Sequence, residues 1–232
     1  MKGCDVQRCF DVLLSGLALI ALSPLLIAIV IALRITGERE IFFLQDRVGR
    51  GGNPFRLYKF ATMLKDSPTI GTGTVTIRND PRVLPLGRFL RKTKINELPQ
   101  LINIFIGDMS VVGPRPQAHR CFAAFPTALQ NVIVQVKPGL SGLGPIVFRD
   151  EEDILAGRAG SLAFYDQVIA PYKAEVEAWY VRHQSLYTYF VVIAITVWVV
   201  LFPRSAVVWR IFQGLPVPPA ELQTALNYPG RA

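Results

Sequence analysis

Two apolar segments bracket a mostly polar middle. The first covers residues 12–33, and only Ser15, Gly16, Ser23 and Pro24 interrupt it. A straight helix of that length reaches about 33 Å, enough to span a bilayer core. Pro24 removes a backbone donor and crowds the carbonyl four residues back, and Ser23 can satisfy the freed backbone group locally. The pattern leaves open a spanning helix and a re-entrant helix that bends at this Ser-Pro pair.

The flanks of this segment bear on its orientation. Lys2 and Arg8 precede it, and Arg34 and Arg39 follow it. The positive-inside bias places both flanks in the cytoplasm if the helix bends and returns. No small-residue cleavage site follows, which argues against a signal peptide. The second apolar segment, residues 186–202, is short for a span and rich in interface-favouring aromatics. It predicts a membrane-associated helix, with a second span as the alternative.

The middle of the chain is soluble in composition. Apolar runs on either side of a Gly-rich turn at 49–54 predict two short strands, over 41–44 and 55–59. The pattern predicts helices at three places, over residues 85–93, 98–105 and 151–179. A short amphipathic patch at 207–212 lies in a tail that otherwise has the pattern of an appendage. No internal repeat is present, which excludes a solenoid.

The composition of the chain also favours a protein that lies on or in a membrane. The 232 residues include 25 Lys+Arg against 17 Asp+Glu, a net charge of +8, yet only 18 % are charged and 51 % are hydrophobic. A disordered nucleic-acid tail would be charge-rich and apolar-poor. Anionic lipid headgroups account for the positive charge as well as nucleic acid does, and for the apolar segments better. The three cysteines form no Cys-x-x-Cys pair, so neither a disulfide framework nor a zinc site is expected.

The densest chemical constellation lies between residues 79 and 115. It contains five closely spaced cations: Arg82, Arg88, Arg91, Lys92 and Lys94. A solvated basic face is the ordinary explanation of such a run. Acids and rigid turns set among the cations favour phosphoryl transfer, which needs phosphate-binding cations and a carboxylate able to hold Mg²⁺. The acids are Asp80, Glu97 and Asp108, and Arg115 follows between two prolines.

Glu97 is the acid of greatest interest. Pro99 follows it, and proline in the first turn of a helix is favourable, so Glu97 is expected near a helix N-terminus. A carboxylate or a phosphate is stabilised there. The alternative is a capping acid that contributes about 0.3–1 kcal/mol.

At these residues the chain resembles the small monotopic polyprenyl-phosphate phosphoglycosyl transferases, also called bacterial sugar transferases. The resemblance covers residues 8–202 and rests on motifs in order: the Ser23-Pro24 segment, FLQDRVG at 43–49, YKFATM at 58–63, NDPR at 79–82, LGRFLRKT at 86–93, NELPQL at 96–101, GDMSVVGPRP at 107–116 and KPGLSG at 137–142. It implies transfer of a phospho-sugar from a UDP-sugar to polyprenyl (undecaprenyl) phosphate, with release of UMP. It also implies a requirement for Mg²⁺ and a helix made re-entrant by the Ser-Pro kink.

Four positions depart from the family pattern. The family uses an Asp-Glu pair, in which Asp is the nucleophile and Glu binds the metal, but here Asn96 precedes Glu97. A neutral amide cannot replace a carboxylate as nucleophile. Ala61 replaces the usual Arg, Gly144-Pro145 replaces Ala-Gln, and the late Asp is missing within 185–188. Three explanations compete: a branch with another mechanism, an inactivated variant, and a catalytically impaired scaffold or regulator of glycan assembly.

These observations together predict an α/β (mainly α) monotopic membrane protein with interface-lying amphipathic helices. The expected units are a re-entrant membrane helix (1–36), a catalytic domain (37–185), a membrane-associated helix (186–202) and a C-terminal tail (203–232). The expected location is a bacterial inner membrane, with the catalytic domain in the cytoplasm. Expected partners are a UDP-sugar, polyprenyl phosphate and membrane lipids, with a homodimer possible through 186–202 and no nucleic acid.

The expected site residues follow from the same motifs. Glu97 is expected to be catalytic and to hold Mg²⁺, and Asn96 to orient a phosphate. The side chains expected to bind phosphate or substrate are Lys59, Asp80, Arg82, Arg88, Arg91 and Arg115. Ser23 and Pro24 are the expected membrane kink. Without a carboxylate at 96, the acceptor phosphate can attack the UDP-sugar directly, in an in-line displacement with no covalent adduct.

Overall fold

The computed structural model describes residues 2–36, 38–69, 80–155, 160–203 and 205–229. The described chain is mainly helical with two small two-stranded sheets, which confirms the expected fold class. Its helices and strands, in order, are α1 Lys2–Thr36, β1 Phe42–Val48, β2 Pro54–Phe60, α2 Pro85–Lys92, α3 Gln100–Ile106, β3 Ser110–Val112, α4 His119–Ala123, α5 Thr127–Ile133, β4 Gly139–Ser141, α6 Leu143–Val147, α7 Glu151–Leu155, α8 Ser161–Phe164, α9 Ala170–Arg182, α10 Leu186–Leu201, α11 Val207–Ile211 and α12 Ala220–Gln223. Asn79, part of the NDPR motif, lies outside the described residues.

Helix α1 continues through Pro24. Proline has no N–H to donate to the carbonyl of Ile20, and the Ser23 hydroxyl donates to that oxygen instead, at 2.8 Å. The expected local compensation is therefore confirmed. By length and apolar composition, residues 6–36 could cross a membrane, although core helices and signal sequences pass the same test. Whether the helix re-enters the membrane stays a prediction, as do the boundaries of the four units.

Both ends of α1 contact the rest of the protein. Near its start, the Gln7 amide donates to the Ser110 hydroxyl at 3.0 Å, and Arg8 donates to backbone carbonyls at the end of α3. Near its end, Leu33 is fully buried in a small apolar cluster with Phe60 and Leu90. A helix that left the folded body to cross a bilayer would have one end free of it. The contacts at both ends favour a helix that lies along the body.

Strands β1 and β2 form an antiparallel hairpin. Both strands are longer than the predicted 41–44 and 55–59. The polar residues Gln45, Asp46 and Arg47 hid the second half of β1, although their backbone pairs with β2 as regularly as the apolar half. Gly51 and Gly52 take positive φ angles in the connecting turn, where other residues would be strained.

The hairpin packs against two short helices. Helix α2 matches the predicted 85–93 to within a residue at its C-terminal end. The helix predicted over 98–105 begins later, at Gln100, because residues Ile95–Glu97 form a separate 3₁₀ turn and Pro99 caps α3. Glu97 therefore lies in that turn, just ahead of the helix. The prediction of a single helix from residue 98 was wrong at this end.

The main hydrophobic core lies around α9 and α10. The long helix predicted over 151–179 is divided into α7, α8, a π turn at Tyr165–Ile169 and α9, with residues 156–159 outside the description. Gly160 has a left-handed φ of 69°, which marks one break. Helix α10 buries one face in this core and exposes several large apolar side chains on the other. Contact of that face with lipid, or with a second copy, stays a prediction.

The C-terminal segment also belongs to this core, unlike the appendage suggested by its sequence. Helix α11 occupies the amphipathic patch expected at 207–212. Trp209 is buried there, and its ring N–H donates to the Leu226 carbonyl at 3.1 Å. Phe212 and Leu222 are buried in the same core. Proline-rich connections had masked the spacing of these apolar anchors.

Candidate active site

A strained turn presents Asn96 and Glu97. Lys94 directly precedes this turn and has a left-handed φ of 59°, a conformation that typically costs a non-glycine residue about 1 kcal/mol or more. The chain then reverses into the 3₁₀ turn, where the Glu97 N–H donates to the Lys94 carbonyl at 3.0 Å. Asn96 is buried, and its Oδ1 has no hydrogen-bond partner among the described residues. Glu97 beside it is partly exposed.

Two cations converge on one oxygen of Glu97. Arg115 Nη2 lies 3.2 Å from Glu97 Oε1, and Lys59 Nζ lies 3.7 Å from the same atom. Lys59 comes from β2 and Arg115 from the loop after β3. The buried Asn103 joins α3 to β2, because its amide accepts from the Tyr58 N–H at 3.0 Å and donates to the Arg56 carbonyl at 2.8 Å.

The charges of this group shift one another. Burial alone raises the pKa of Glu97, but the nearby cations, Arg115 first and then Lys59, outweigh burial and lower that pKa to about 2. Burial lowers the pKa of Lys59 to about 8, and the charge of Glu97 opposes that shift. Glu97 is therefore an anion at any physiological pH, and the cations around it exceed its single charge.

Two further arginines extend the positive surface. Arg91 on α2 is close enough to Lys59 for its charge to lower the lysine pKa. Arg47 at the end of β1 is largely buried, and both burial and the charge of Arg115 lower its pKa to about 10. Its Nη1 donates to the Pro116 carbonyl at 3.2 Å, while its Nε has no partner among the described residues. Arg47 was absent from the expected site residues, although it lies within the FLQDRVG motif.

The loop that carries Arg115 is held from two sides. On one side, Gly113 and Gly139 approach so closely that a Cβ on Gly139 would lie 2.0 Å from the Gly113 nitrogen. On the other side, the buried Glu177 of α9 accepts the Arg115 backbone N–H at 2.9 Å. Glu177 is a site residue that sequence reasoning missed, because nothing in the local pattern of α9 distinguishes it from a surface acid.

Glu177 explains one departure from the family pattern. A Cβ on Gly144 would lie 2.1 Å from Glu177 Oε1, so alanine cannot occupy this position unless the carboxyl moves. Burial raises the pKa of Glu177 to about 7, and the hydrogen bond from the Arg115 backbone opposes that rise. The glycine at 144 therefore provides the space for the glutamate.

The other expected site residues lie around this group in different settings. Asp80 and Arg82 are buried and paired with each other through Oδ1 and Oδ2, and Arg82 Nη1 donates to the Ser67 carbonyl at 2.7 Å. This pairing gives them a structural task in the segment between β2 and α2. Arg88 is exposed on α2, on the helix that carries Arg91. Roles for Asp80, Arg82 and Arg88 in substrate binding stay predictions.

The donor set for a metal ion is small. Among the described residues, no group of three or more His, Cys, Asp or Glu side chains could hold a metal. Mg²⁺ keeps several waters and is commonly bound by one or two carboxylates together with substrate phosphates. The permanently ionised carboxylate of Glu97 fits that requirement. The unpartnered amide oxygen of Asn96 is a second oxygen donor in the same turn.

This arrangement suits a polyanionic ligand. Lys59, Arg91 and Arg115 supply positive charge around one carboxylate, and guanidinium groups match phosphate oxygens in pairs. Exposed apolar side chains on α1, β1 and α10 lie on the same folded body. The site therefore combines phosphate-binding chemistry with surfaces that suit a lipid environment.

Comparisons with known proteins agree with this chemistry. Residues 3–203 match the family model described as bacterial sugar transferase. The chain is 32 % identical over 205 residues to the undecaprenyl-phosphate glucose phosphotransferase of Komagataeibacter xylinus, which covers 86 % of this chain and 36 % of that protein. It is 37 % identical over 153 residues to the UDP-glucose:undecaprenyl-phosphate glucose-1-phosphate transferase of Escherichia coli, covering 65 % and 33 % of the two chains.

A third relative is similar in length. The exopolysaccharide production protein ExoY of Rhizobium meliloti is 31 % identical over 218 residues, covering 88 % of this chain and 89 % of that protein. The chain spans about a third of the length of the larger transferases named above. The family match covers most of the described fold, including the turn at Glu97 and the Arg115 loop, so this chain belongs to the bacterial sugar transferase family.

Proposed function

We propose that this chain transfers a phospho-sugar from a UDP-sugar to polyprenyl phosphate and releases UMP, as the first membrane step of polysaccharide or glycoconjugate assembly. The observation that carries the proposal is the ionised Glu97 carboxylate held between Lys59 and Arg115. Two of the relatives are named as undecaprenyl-phosphate sugar transferases, and a third as an exopolysaccharide production protein. Both kinds of name agree with this reaction.

In the proposed reaction, an oxygen of the acceptor phosphate attacks the β-phosphorus of the UDP-sugar. A new phosphorus–oxygen bond forms, the bond between the β-phosphorus and the bridging oxygen breaks, and UMP leaves with the bonding electrons. Lys59 and Arg115 bind the phosphate oxygens and offset their mutual repulsion. Arg47 and Arg91 supply further positive charge around these two side chains.

Mg²⁺ is the proposed cofactor, with Glu97 as its protein ligand. When bound, the ion supplies charge neutralisation for the phosphates and for the leaving group. Arg115 and Lys59 keep Glu97 deprotonated before any ion arrives, so binding requires no release of a proton from this carboxyl. Few protein ligands are needed, because phosphate oxygens and waters complete the preferred shell of Mg²⁺.

Asn96 supports a direct displacement over a covalent intermediate. Its side chain is a neutral amide, so it carries no nucleophilic charge. Its unpartnered Oδ1 can accept a hydrogen bond from a substrate hydroxyl or a bound water. We propose that Asn96 orients a substrate group and that no phosphosugar becomes attached to the protein.

The membrane setting belongs to the same proposal. The apolar faces of α1 and α10 would contact lipid at the cytoplasmic side of the bacterial inner membrane, and the Glu97 site would face the cytoplasm. The polyprenyl phosphate would reach the site from the bilayer and the UDP-sugar from the aqueous side. A homodimer through the exposed face of α10 is an additional proposal, and it is tested by the oligomeric state in detergent.

The decisive experiment measures UMP release from a panel of UDP-sugars with undecaprenyl phosphate and Mg²⁺. We expect release with at least one sugar, and a loss of at least 100-fold in Glu97→Gln. The matched control is Glu175→Gln, which alters an exposed acid on α9 and is expected to leave the rate unchanged. Absence of release with every sugar would refute the proposal and favour the non-catalytic scaffold.

The order of substrate addition tests the direct displacement. We expect sequential kinetics, with no UMP until the acceptor is added. Labelled phosphosugar found covalently on the protein would refute this mechanism. Asn96→Asp is the matched probe: a new anion close to Glu97 would repel incoming phosphates, so we expect a lower rate. A large increase in the rate would instead show that Asn96 inactivates an enzyme of the usual covalent type.

A further inference from the structure

We propose that Glu177 is a positioning residue that places Arg115 for phosphate binding through the Arg115 backbone. This inference rests on the proposed function and adds a residue to its machinery. Glu177 is 1 % exposed, at the centre of α9, and its Oε1 accepts the Arg115 N–H at 2.9 Å. The side chain of the same arginine reaches Glu97 Oε1 at 3.2 Å. One residue thus joins the buried carboxyl beneath the loop to the carboxylate at the site.

The sequence around Arg115 makes this hydrogen bond hard to replace. Pro114 and Pro116 have no N–H, so the Arg115 amide is the single backbone donor within these three residues. The neighbouring strand β4 holds the loop by another contact, in which the Gly139 N–H donates to the Pro114 carbonyl at 2.8 Å. The bond to Glu177 complements that contact at the arginine itself.

The position of Glu177 is costly, which argues that it does more than fill space. A buried carboxyl is unfavourable unless it is well paired, and Glu177 Oε2 has no hydrogen-bond partner among the described residues. Lys173, one turn earlier on α9, pairs with Glu151. Gly144 leaves the room that the carboxyl occupies, since a Cβ there would collide with Oε1. An apolar side chain would pack at this place without these costs.

The consequence is a fixed starting point for the Arg115 side chain. Errors of about 1 Å in the position of a binding group can reduce a rate by about 100-fold. Without this acceptor, the partly buried Arg115 amide would be unpaired, and the loop would move to satisfy it. The guanidinium would then meet the phosphates less well, although every side chain at the site is intact.

The test compares two substitutions of Glu177 whose side chains have similar length. The measurement is the affinity for UDP in the presence of Mg²⁺. Glu177→Gln keeps a carbonyl acceptor for the Arg115 N–H, and we expect its UDP affinity within about threefold of the unchanged protein. Glu177→Met has no such acceptor, and we expect about a tenfold loss. Glu175→Met on the exposed face of α9 is the control and should change nothing. Thermal unfolding of each variant verifies that it folds.

A double-mutant cycle shows whether Glu177 acts through Arg115. In an Arg115→Ala background, Glu177→Met should cause little further loss, because the group that it positions is gone. Full additivity of the two losses would overturn the proposal, as would equal losses in the Gln and Met variants. If the unchanged protein binds no UDP, the proposed function fails together with this inference. If it binds UDP and Glu177→Met binds equally well, this inference alone fails.

Discussion

The acid stability of the protein should depend on Glu97 to a degree that can be worked out. The pKa of this carboxyl is about 2 in the folded protein against an ordinary 4.5. A difference of this size corresponds to about 3 kcal/mol of folding free energy. The side chain is 16 % exposed, so solvent screening removes little of that value. Because the folded pKa is the lower one, the contribution is complete above pH 4.5 and disappears as the pH falls through 2.

The measurement is the free energy of unfolding in detergent, by urea, for the unchanged protein and for Glu97→Gln at pH 6.0 and 3.5. A chelator keeps the buffer free of metal. From the two pKa values, the contribution of Glu97 is about 3 kcal/mol at pH 6.0 and about 2 kcal/mol at pH 3.5. The difference in stability between the two proteins should therefore shrink by about 1 kcal/mol between these pH values.

Taking the difference between the two proteins removes the titrating groups that do not interact with Glu97. Glu177 in particular acts with the opposite sign, because its raised pKa destabilises the folded protein as the pH rises from 4.5 to 7. In the unchanged protein Lys59 stays protonated throughout the chosen range, since its pKa is about 8 and the charge of Glu97 supports that value. A difference in stability that stays constant from pH 6.0 to 3.5 would show that Lys59 and Arg115 do not hold Glu97 ionised, and the reasoning would be refuted.

Three further predictions concern packing and buried hydrogen bonds. Each is tested by measuring the free energy of unfolding in detergent. Leu90→Ala should lose about 3 kcal/mol, because the side chain is 1 % exposed, whereas the exposed Phe89→Ala on the same helix should change stability by less than about 0.5 kcal/mol. Gly87→Ala should lose about 2 kcal/mol or more, since its Cβ would lie 2.1 Å from a backbone carbonyl beyond β2. Asp11→Ala removes an acceptor used by three donors and should lose about 3 kcal/mol, while Tyr189→Phe removes one of those donors and should lose about 1 kcal/mol. Equal losses within either pair would contradict these assignments.

Local patterns determined much of the fold. The apolar run of α1 could be predicted because it is continuous along the chain. The compensation of Pro24 by Ser23 could be predicted because it joins residues within one turn of each other. The same holds for the hairpin around its Gly-rich turn and for α2. Glu97 and Arg115 also lie in motifs whose cations and rigid turns indicate phosphate chemistry, and the structure brings these two side chains together.

Contacts between distant segments decided the rest. The sequence does not reveal that Glu177 meets the backbone of Arg115, 62 residues away, or that Gly144 leaves space for it. Nor does it show that the Asp80–Arg82 pair is buried, with Arg82 Nη1 donating to the carbonyl of Ser67, 15 residues away. Charge and hydropathy describe a residue in its own neighbourhood along the chain, whereas burial and pKa depend on the elements packed around it. The sequence by itself determined which phosphate-binding side chains are present and where α1, the hairpin and α2 form. Only the tertiary structure decided which charges are brought together, because long-range packing sets those distances.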